Sequence, residues 1–289
     1  MSTFEATAAA ASTAENKEAI TKERAAHALS EASRVVILSG AGMSQESGIN
    51  TFRDPEVGVW KNKLALMWFG TPIGWKLTPG FAFKAYGRFW QPIGRAQPND
   101  GHRAISRMPT PQGLDIPVEV ITQNVDNLHQ RAGTPSDKVY EVHGTVFKHR
   151  CIKCEQVGEL DMSGWAEHWP ETNPKCAHCG AGMRPDAVLF GEGLPGETWE
   201  KAMHAITGLG SHDVLLIIGT SGSVYPAASL PEYAHCCIIE INPMPSGITH
   251  LANLHIALPS AQCLPQILDR AIELKRLRNQ QEEHPATVI

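Results

Sequence analysis

The segment that most restricts the fold is a glycine-rich turn directly behind a short apolar run. Residues 35–38 read Val-Val-Ile-Leu, and residues 40–53 read Gly-Ala-Gly-Met-Ser-Gln-Glu-Ser-Gly-Ile-Asn-Thr-Phe-Arg. In α/β proteins, a strand that feeds such a turn lets the backbone approach a pyrophosphate, because Gly40 and Gly42 carry no side chain to block it. The third glycine of the usual fingerprint would be residue 45, which is Gln45. We therefore expect a dinucleotide ligand held differently from the cofactor of a dehydrogenase.

Length and composition indicate an intracellular globular protein. The chain has 289 residues, of which 42% are hydrophobic, and a net charge of -5, so it lacks the basic field of a nucleic-acid binder. No apolar run approaches the roughly 18 to 20 residues that span a bilayer, and no secretory signal is evident. Seven cysteines, an odd number, favour thiols or metal ligands over disulfides. We expect no nucleic-acid partner, no membrane partner and a monomer.

Four apolar runs and the helical patterns around them predict an α/β fold with a Rossmann-like, doubly wound parallel sheet. The runs are residues 35–38, 118–122, 214–218 and 238–241, and their nearly continuous hydrophobicity suits strands covered on both faces. Helical patterns cover residues 18–32, 102–108 and 198–209, and a last helix begins near residues 264–265. The alternation of the two patterns favours this fold class over an all-α or all-β chain.

Two insertions interrupt this alternation and predict a small helical and zinc-ribbon module. Residues 61–98 are rich in aromatic residues, Gly and Pro, and residues 150–184 are polar and carry cysteines. The sheet domain then comprises three segments, with a disordered tail before it and a flexible tail after it. The three segments of the sheet domain are residues 16–60, 99–149 and 185–278. The disordered tail is residues 1–15, and the flexible tail is residues 279–289. The active site is expected between the insertions and the carboxyl ends of the strands.

Two Cys-x-x-Cys pairs in the second insertion predict one structural zinc ion. The pairs are Cys151 with Cys154 and Cys176 with Cys179, and residues 155–175 separate them, slightly more than the roughly 15 to 20 residues usual in a zinc ribbon. Four thiolates close a tetrahedral shell and leave no position for water or substrate. The alternative of four unrelated thiols stays open at this point.

Polar side chains follow the strand predicted at residues 118–122. Residues 122–129 read Thr-Gln-Asn-Val-Asp-Asn-Leu-His, and residues 142–145 read Val-His-Gly-Thr. Amides and a carboxylate at the end of a strand are suited to a carboxamide and to ribose hydroxyls, because they offer both donors and acceptors. His143 stands out among the thirteen histidines because a glycine follows it and polar ligand-type residues precede it.

The motifs taken together resemble the sirtuins, the family of NAD-dependent protein-lysine deacylases, in the branch that removes succinyl and malonyl groups. They occur in the family's order over residues 18–275. The matching segments are residues 40–44, 47–49, 52–53, 123–126, 143–144, both cysteine pairs, 188–192, 219–221 and 241–243.

The resemblance implies a role for each matching residue. His143 is the implied general base, with Asn124 beside it in the catalytic site. NAD+ is the implied co-substrate, held by Gly40, Ala41, Gly42, Glu46, Thr51, Phe52, Arg53, Gln123, Asn124, Asp126, Gly219, Thr220, Ser221, Asn242 and Cys263. The acylated lysine of a protein substrate is implied to bind by β-augmentation along Val188, Leu189, Phe190 and Gly191, which explains tolerance of many peptides.

The resemblance also implies the reaction. The acyl carbonyl oxygen attacks C1′ of the nicotinamide ribose, nicotinamide leaves, and His143 draws a proton through the ribose hydroxyls. The products are deacylated lysine, nicotinamide and O-acyl-ADP-ribose. A neutral imidazole with a pKa of about 6.5 suits this task. Asn50 stands where the family usually has proline, and Asp54 where it usually has glycine. We expect these departures to change the rate of loop closure or the affinity for NAD+ and to leave the reaction itself intact.

The sequence gives conflicting indications of which acyl group is removed. Gly70 and Tyr86 resemble the branch that removes succinyl, malonyl and glutaryl groups, in which a Tyr-x-x-Arg pair reads the distal carboxylate. Here residue 89 is Phe89, and the nearest arginine is Arg88. If the segment is helical, Arg88 faces away from Tyr86, whereas an irregular segment still allows both to reach a carboxylate.

Two other functions remain open on the sequence. A mono-ADP-ribosyltransferase would cleave the same nicotinamide bond and transfer ADP-ribose to a protein. An NAD-sensing or scaffolding protein would bind the nucleotide without turnover, although such a binder has no need for His143.

Overall fold

A six-stranded parallel sheet forms the centre of the larger domain. The computed structural model describes residues 3–50 and 68–283, without the side chains of residues 3–15. Numbered in chain order, the strands of this sheet are β1 (Val35–Ser39), β2 (Val118–Thr122), β3 (Val139–Glu141), β7 (Val214–Ile218), β8 (Cys237–Ile241) and β9 (Leu254–Ile256). Their order in the sheet is β3-β2-β1-β7-β8-β9. The chain therefore reverses direction across the sheet between β1 and β7, which is where α/β proteins form a ligand crevice.

Both faces of this sheet are covered, as the apolar runs predicted. All five residues of β1 are buried. Val35 and Ile37 pack into one core cluster, whereas Val36 and Leu38 pack into another on the opposite face. This alternation follows from the two-residue period of a strand. The four strands predicted from the sequence are confirmed, and β3 and β9 are additional.

Helices cover the two faces. The longer ones are α1 (Thr3–Glu31), α4 (Asp100–Arg107), α6 (Gly196–Thr207) and α7 (Ser260–Glu283), and α5 (Leu128–Arg131) is a single turn. Residues of α1, α4 and α7 share the cluster that holds Val35, and residues of α6 share the cluster that holds Val36. The prediction of a disordered tail over residues 1–15 differs from the structure, because α1 begins at Thr3. The alanines there have high helix propensity and simply extend the helix predicted behind them.

The two insertions pack together into a smaller module. It contains α2 (Pro72–Leu77), α3 (Pro79–Arg95) and an antiparallel sheet of β4 (Gly144–Cys151), β5 (Val157–Gly158) and β6 (Met183–Ala187) in the order β5-β4-β6. Aromatic rings join the helices to the cysteine-bearing segment. The ring centroids of Phe83 and Trp165 are 6.0 Å apart, and those of Tyr86 and Trp169 are 5.7 Å apart. Strand β4 starts one residue after His143, so the module begins at the candidate base.

Within residues 3–50 and 68–283, no helix combines the length and the apolar character that crossing a bilayer would require.

Candidate active site

The glycines behind β1 allow two loops to pack backbone against backbone. Gly40 N–H donates to the Ile218 carbonyl at 2.9 Å, and Gly42 N–H donates to the Gly219 carbonyl at 2.8 Å. A Cβ atom on Gly40 would lie only 2.8 Å from the Cα of Thr220. Ala41 then begins a short 3₁₀ helix, Ala41–Ser47. Because these glycines have no side chain, the loop after β1 can pack against the loop after β7. This contact lies between β1 and β7, at the switch point where the chain reverses direction across the sheet.

A buried hydrogen-bond network ties the polar loop after β2 to the glycine loop. Asn124 Nδ2 donates to the Gly40 carbonyl and to Ser44 Oγ, both at 3.0 Å. Ser44 Oγ donates to Asp126 Oδ2 at 2.6 Å, and Leu128 N–H donates to Asp126 Oδ1 at 3.1 Å. Burial raises the pKa of Asp126, and these two hydrogen bonds oppose the rise. The network holds Asn124 and Asp126 in fixed positions at the floor of the crevice.

The hydrogen bond between His143 and Gln123 determines which imidazole nitrogen is basic. His143 Nδ1 lies 2.9 Å from the Gln123 carbonyl oxygen, and because a carbonyl only accepts, Nδ1 carries the proton. Nε2 therefore keeps its lone pair. Burial lowers the pKa of His143 below 6.5, while the bond to Gln123 opposes the shift. The ring is accordingly neutral at neutral pH, with Nε2 able to accept a proton.

The ends of β7 and β8 join the same crevice through Thr220. Gln123 Nε2 donates to Thr220 Oγ1 at 3.0 Å, and Asn242 Nδ2 donates to the Thr220 carbonyl at 2.9 Å. Ser221 is exposed, with its Oγ 2.6 Å from Ser223 Oγ. Three predicted cofactor residues from three strands are thus brought together, and Ser221 lies at the rim.

Two predicted cofactor residues contact other parts of the protein. Glu46 Oε2 accepts the Ala261 N–H at 2.8 Å, in the first turn of α7, where a carboxylate is favoured by the helix dipole. Cys263 is buried in the core, its N–H donates to the Pro259 carbonyl at 3.3 Å, and burial raises its pKa to about 12. Three further predicted residues lie outside the described residues, namely Thr51, Phe52 and Arg53.

Asn99 and Ser44 support the site and were not predicted. Asn99 Nδ2 donates to the Met43 carbonyl at 2.8 Å and to Ser47 Oγ at 3.1 Å. Its Oδ1 accepts the His102 N–H at 3.3 Å as the N-cap of α4. An asparagine before a helical pattern is a recognisable cap signal, but that signal does not reveal contact with the glycine loop.

The segment after β6, residues 188–191, lies beside His143. Val188 N–H donates to the His143 carbonyl at 2.9 Å, and Phe190 N–H donates to the Gly70 carbonyl at 2.8 Å. Gly191 has a positive φ of 90° and is exposed. The segment thus runs from the candidate base to the small module.

An aromatic cluster extends from this segment into the module. Leu189 is buried there together with Phe69 and Tyr86, and Phe89 packs against them. The ring of Phe89 is 6.1 Å from that of Tyr86 and 5.9 Å from that of Phe69, measured between centroids. Leu189 and Tyr86 therefore belong to one buried cluster of apolar and aromatic side chains.

Arg88 does not take part in this cluster, and its predicted role in reading a substrate carboxylate with Tyr86 stays a prediction. The two residues lie on one regular helix, α3, where positions two apart point in different directions. Tyr86 is 2% exposed, whereas Arg88 is exposed to solvent. Phe89, three positions after Tyr86, stands on the inner side instead.

The four cysteines of the second insertion form one cluster. All four sulfur atoms lie within 4.8 Å of one another, and neighbouring Sγ atoms are 3.4 Å (Cys151 and Cys179), 3.5 Å (Cys154 and Cys179) and 3.7 Å (Cys154 and Cys176) apart. A tetrahedral zinc ion with Zn–S bonds of about 2.3 Å separates its sulfurs by about 3.8 Å. The donor set and its spacing fit a closed, structural zinc site.

Comparisons with known proteins agree with this geometry. The sequence profile described as the Sir2 family matches residues 40–226. The chain is 40% identical over 242 residues to a protein of Mycobacterium leprae named NAD-dependent protein deacylase, and the match covers 82% of this chain and 97% of that protein.

Solved structures give the same result. A crystal structure described as a Sir2 homolog–NAD complex superimposes with a TM-score of 0.75 at 33% identity, covering 88% of this chain and 94% of the other. A Sir2 structure with a deacetylated peptide and 3′-O-acetyl ADP ribose gives a TM-score of 0.69 at 28% identity, covering 84% and 96%. With this profile match and this relative, the chain belongs to the Sir2 family.

Proposed function

We propose that this chain removes acyl groups from lysine side chains of proteins, with NAD+ as co-substrate. The observation that carries the proposal is the 2.9 Å contact between His143 Nδ1 and the Gln123 carbonyl oxygen. Because a carbonyl only accepts, the proton lies on Nδ1, and Nε2 can accept another. The bond to the Gln123 carbonyl places His143 beside Gln123, whose side chain bonds to Thr220 where β2 and β7 end. The Mycobacterium leprae relative carries the name deacylase, which favours deacylation over transfer of ADP-ribose to protein.

The residues of the crevice fit NAD+. Both N–H groups of the Asn124 amide are used inside the protein, so Asn124 offers its Oδ1 as an acceptor. The Gln123 amide keeps one N–H beyond its bond to Thr220 and can donate to a carboxamide or a hydroxyl group. The backbone packing at Gly40 removes side-chain bulk from the switch point. When bound, NAD+ supplies the ribose carbon from which nicotinamide leaves and the ADP-ribose that receives the acyl group.

The protein's own contribution is a neutral base in a fixed orientation. With NAD+ bound, His143 Nε2 would be the atom that takes up a proton, and the Nδ1–H bond to the Gln123 carbonyl would stabilise the resulting imidazolium. Burial lowers the pKa of His143, which favours the neutral ring that can accept a proton. General-base assistance of this kind contributes about 10² to 10⁴-fold in rate.

The four-cysteine site contributes to folding and not to the reaction. Cys151, Cys154, Cys176 and Cys179 would hold one zinc ion with their four sulfur atoms, and a shell of four thiolates leaves no open position for a water molecule or a substrate. Zinc bound there would stabilise the second insertion, which supplies aromatic residues to the core around Tyr86.

The aromatic cluster supports acetyl and other neutral acyl groups as substrates. Leu189, Phe69 and Tyr86 are buried together and Phe89 packs against them, so an acyl group that entered this cluster from segment 188–191 would meet apolar and aromatic side chains. A carboxylate buried there without a cation would cost several kcal/mol, and Arg88 faces solvent.

One peptide series tests this function. A peptide carrying acetyl-, butyryl- or succinyl-lysine is incubated with NAD+ and the full-length protein, and all products are identified by mass spectrometry. The proposal predicts deacylated peptide and O-acyl-ADP-ribose from the neutral acyl groups, with succinyl turnover lowest. Attachment of ADP-ribose to protein without loss of the acyl group would contradict it.

A further inference from the structure

We propose that Arg184 and Glu192 are positioning residues that fix the peptide-binding segment 188–191 against the candidate base. This inference rests on the proposed function and adds two residues to it. The sequence analysis assigned neither residue a role, although Glu192 ends the matching segment 188–192.

Arg184 and Glu192 enclose the segment from both ends. Arg184 Nη2 lies 2.7 Å from Glu192 Oε1, and Arg184 Nη1 donates to the Ala187 carbonyl at 3.3 Å. Glu192 Oε2 accepts the Leu189 N–H at 3.0 Å, and Glu192 N–H donates to the Leu189 carbonyl at 3.0 Å. One ion pair therefore bonds to the backbone just before the segment and again within it.

The same segment is coupled to the base. Val188 N–H donates to the His143 carbonyl, Phe190 N–H donates to the Gly70 carbonyl, and Leu189 N–H donates to Glu192. Three successive amides are thus used inside the protein. Any displacement of the segment changes the position at which a peptide backbone meets it, relative to His143.

Burial of Arg184 strengthens the ion pair that holds segment 188–191. Arg184 is 7% exposed, and burial lowers its pKa while the charge of Glu192 opposes this effect. A charge-assisted pair of this kind is stronger than a neutral hydrogen bond. Loss of the Glu192 charge removes the largest of the carboxylate charges that compensate the buried guanidinium, ahead of Asp186 and Glu155. A lysine at position 184 could not reach the carboxylate and the backbone carbonyls together, because it lacks the planar fork of arginine.

The neighbouring ion pair of Arg150 and Asp186 offers a matched control. Arg150 Nε lies 2.7 Å from Asp186 Oδ1, on strands β4 and β6, and the pair is partly buried. Asp186 is two residues from Arg184 on the same strand. Its carboxylate bonds to Arg150, on the neighbouring strand β4. Asp186→Asn therefore breaks an Arg–carboxylate pair of the same module without releasing the segment.

The test compares Glu192→Gln, Arg184→Lys and Asp186→Asn in the full-length protein. Binding of a fluorescent acetyl-lysine peptide is measured by polarisation, and KM values for peptide and NAD+ are measured by steady-state kinetics. We expect Glu192→Gln and Arg184→Lys to weaken peptide binding about tenfold and to leave the KM for NAD+ within about twofold. Asp186→Asn should change both by less than about twofold.

The outcomes separate the two proposals. If the wild type binds peptide and the first two variants bind it equally well, the positioning role is wrong even when turnover is normal. If all three variants lose peptide binding in step with their thermal stability, the pair is merely structural and the inference fails. If the wild type releases no O-acyl-ADP-ribose, the proposed function fails, and the binding data still decide the positioning role. A wild type that binds no peptide would contradict both.

Discussion

A Cβ atom on Gly219 would lie 2.3 Å from the backbone nitrogen of Met43, so the loop after β7 meets the loop after β1 at a distance that only glycine permits. Gly219 also has a φ of 60°, a conformation that residues with a Cβ rarely adopt. Both requirements fall on one residue at the switch point of the sheet. The shape of the crevice therefore depends on a glycine that contacts backbone on both sides.

Gly219→Ala is expected to destabilise the protein by about 2 kcal/mol or more, through steric conflict and backbone strain. It should also weaken NAD+ binding, because the loop after β1 must move. Urea denaturation and calorimetric titration with NAD+ measure the two effects. Gly196→Ala is the control, since a Cβ there meets nothing within 4 Å. Equal behaviour of the two variants would show that the loop contact is unimportant.

His149 should make the stability of the protein depend on pH. It is fully buried, and burial lowers its pKa to about 4. On unfolding, the ring regains a pKa of about 6.5 and takes up a proton, so the native state loses about 2 kcal/mol of stability between pH 8 and pH 5 from this residue.

A leucine at this position has no proton to bind. His149→Leu should therefore gain about 2 kcal/mol relative to the wild type when the pH is lowered from 8 to 5. Chemical denaturation of both proteins at the two pH values provides the comparison. A stability difference that is the same at both pH values would mean that His149 does not titrate on unfolding.

Zinc removal should destabilise the small module. Cys176→Ser deletes one ligand of the cluster, and we expect loss of stoichiometric zinc and a fall in Tm on the order of 10 °C. Cys236→Ser is the control, because Cys236 lies outside the four-cysteine cluster. Metal analysis and thermal unfolding report the two properties. Full zinc content in Cys176→Ser would disprove the assignment of that ligand.

Phe89→Arg should shift the acyl preference towards succinyl groups. The substitution places a guanidinium beside Tyr86, where the ring of Phe89 now lies 6.1 Å from the ring of Tyr86, and arginine binds carboxylates in a bidentate manner. We expect kcat/KM for a succinyl peptide to rise at least about tenfold. Arg88→Ala should change it little, because Arg88 is exposed. A large loss in Arg88→Ala would restore that residue as the specificity determinant.

Much of the fold was predictable because the core strands carry a strong local signal. Residues 35–38 and 214–218 are apolar throughout, which reflects burial on both faces. The strands β3 and β9 have three residues each, too few for a pattern to stand out. The start of α1 at Thr3 depends on continuity with the helix behind it, and the composition of residues 1–15 alone fits a tail equally well.

The sequence allowed the residue types of the candidate site to be predicted, but not the hydrogen bonds that join them. Gln123, Asn124 and Asp126 are recognisable by their chemistry and by their position after a strand. Ser44, which bonds to both Asn124 and Asp126, comes from a segment far along the chain. Hydrogen bonds between residues so distant in the sequence depend on tertiary packing, and a local sequence pattern does not predict them. The predicted contacts of Thr51, Phe52 and Arg53 stay predictions.

The central claim is that His143 Nε2 accepts the proton that allows the acyl group to leave lysine. Quantitative mass spectrometry of an acetyl-lysine peptide incubated with NAD+ tests it most directly, by following nicotinamide and O-acetyl-ADP-ribose together. We predict equal amounts of the two products from the wild type, and a rate at least about 10²-fold lower from His143→Ala. Undiminished formation of O-acetyl-ADP-ribose by His143→Ala would contradict the account.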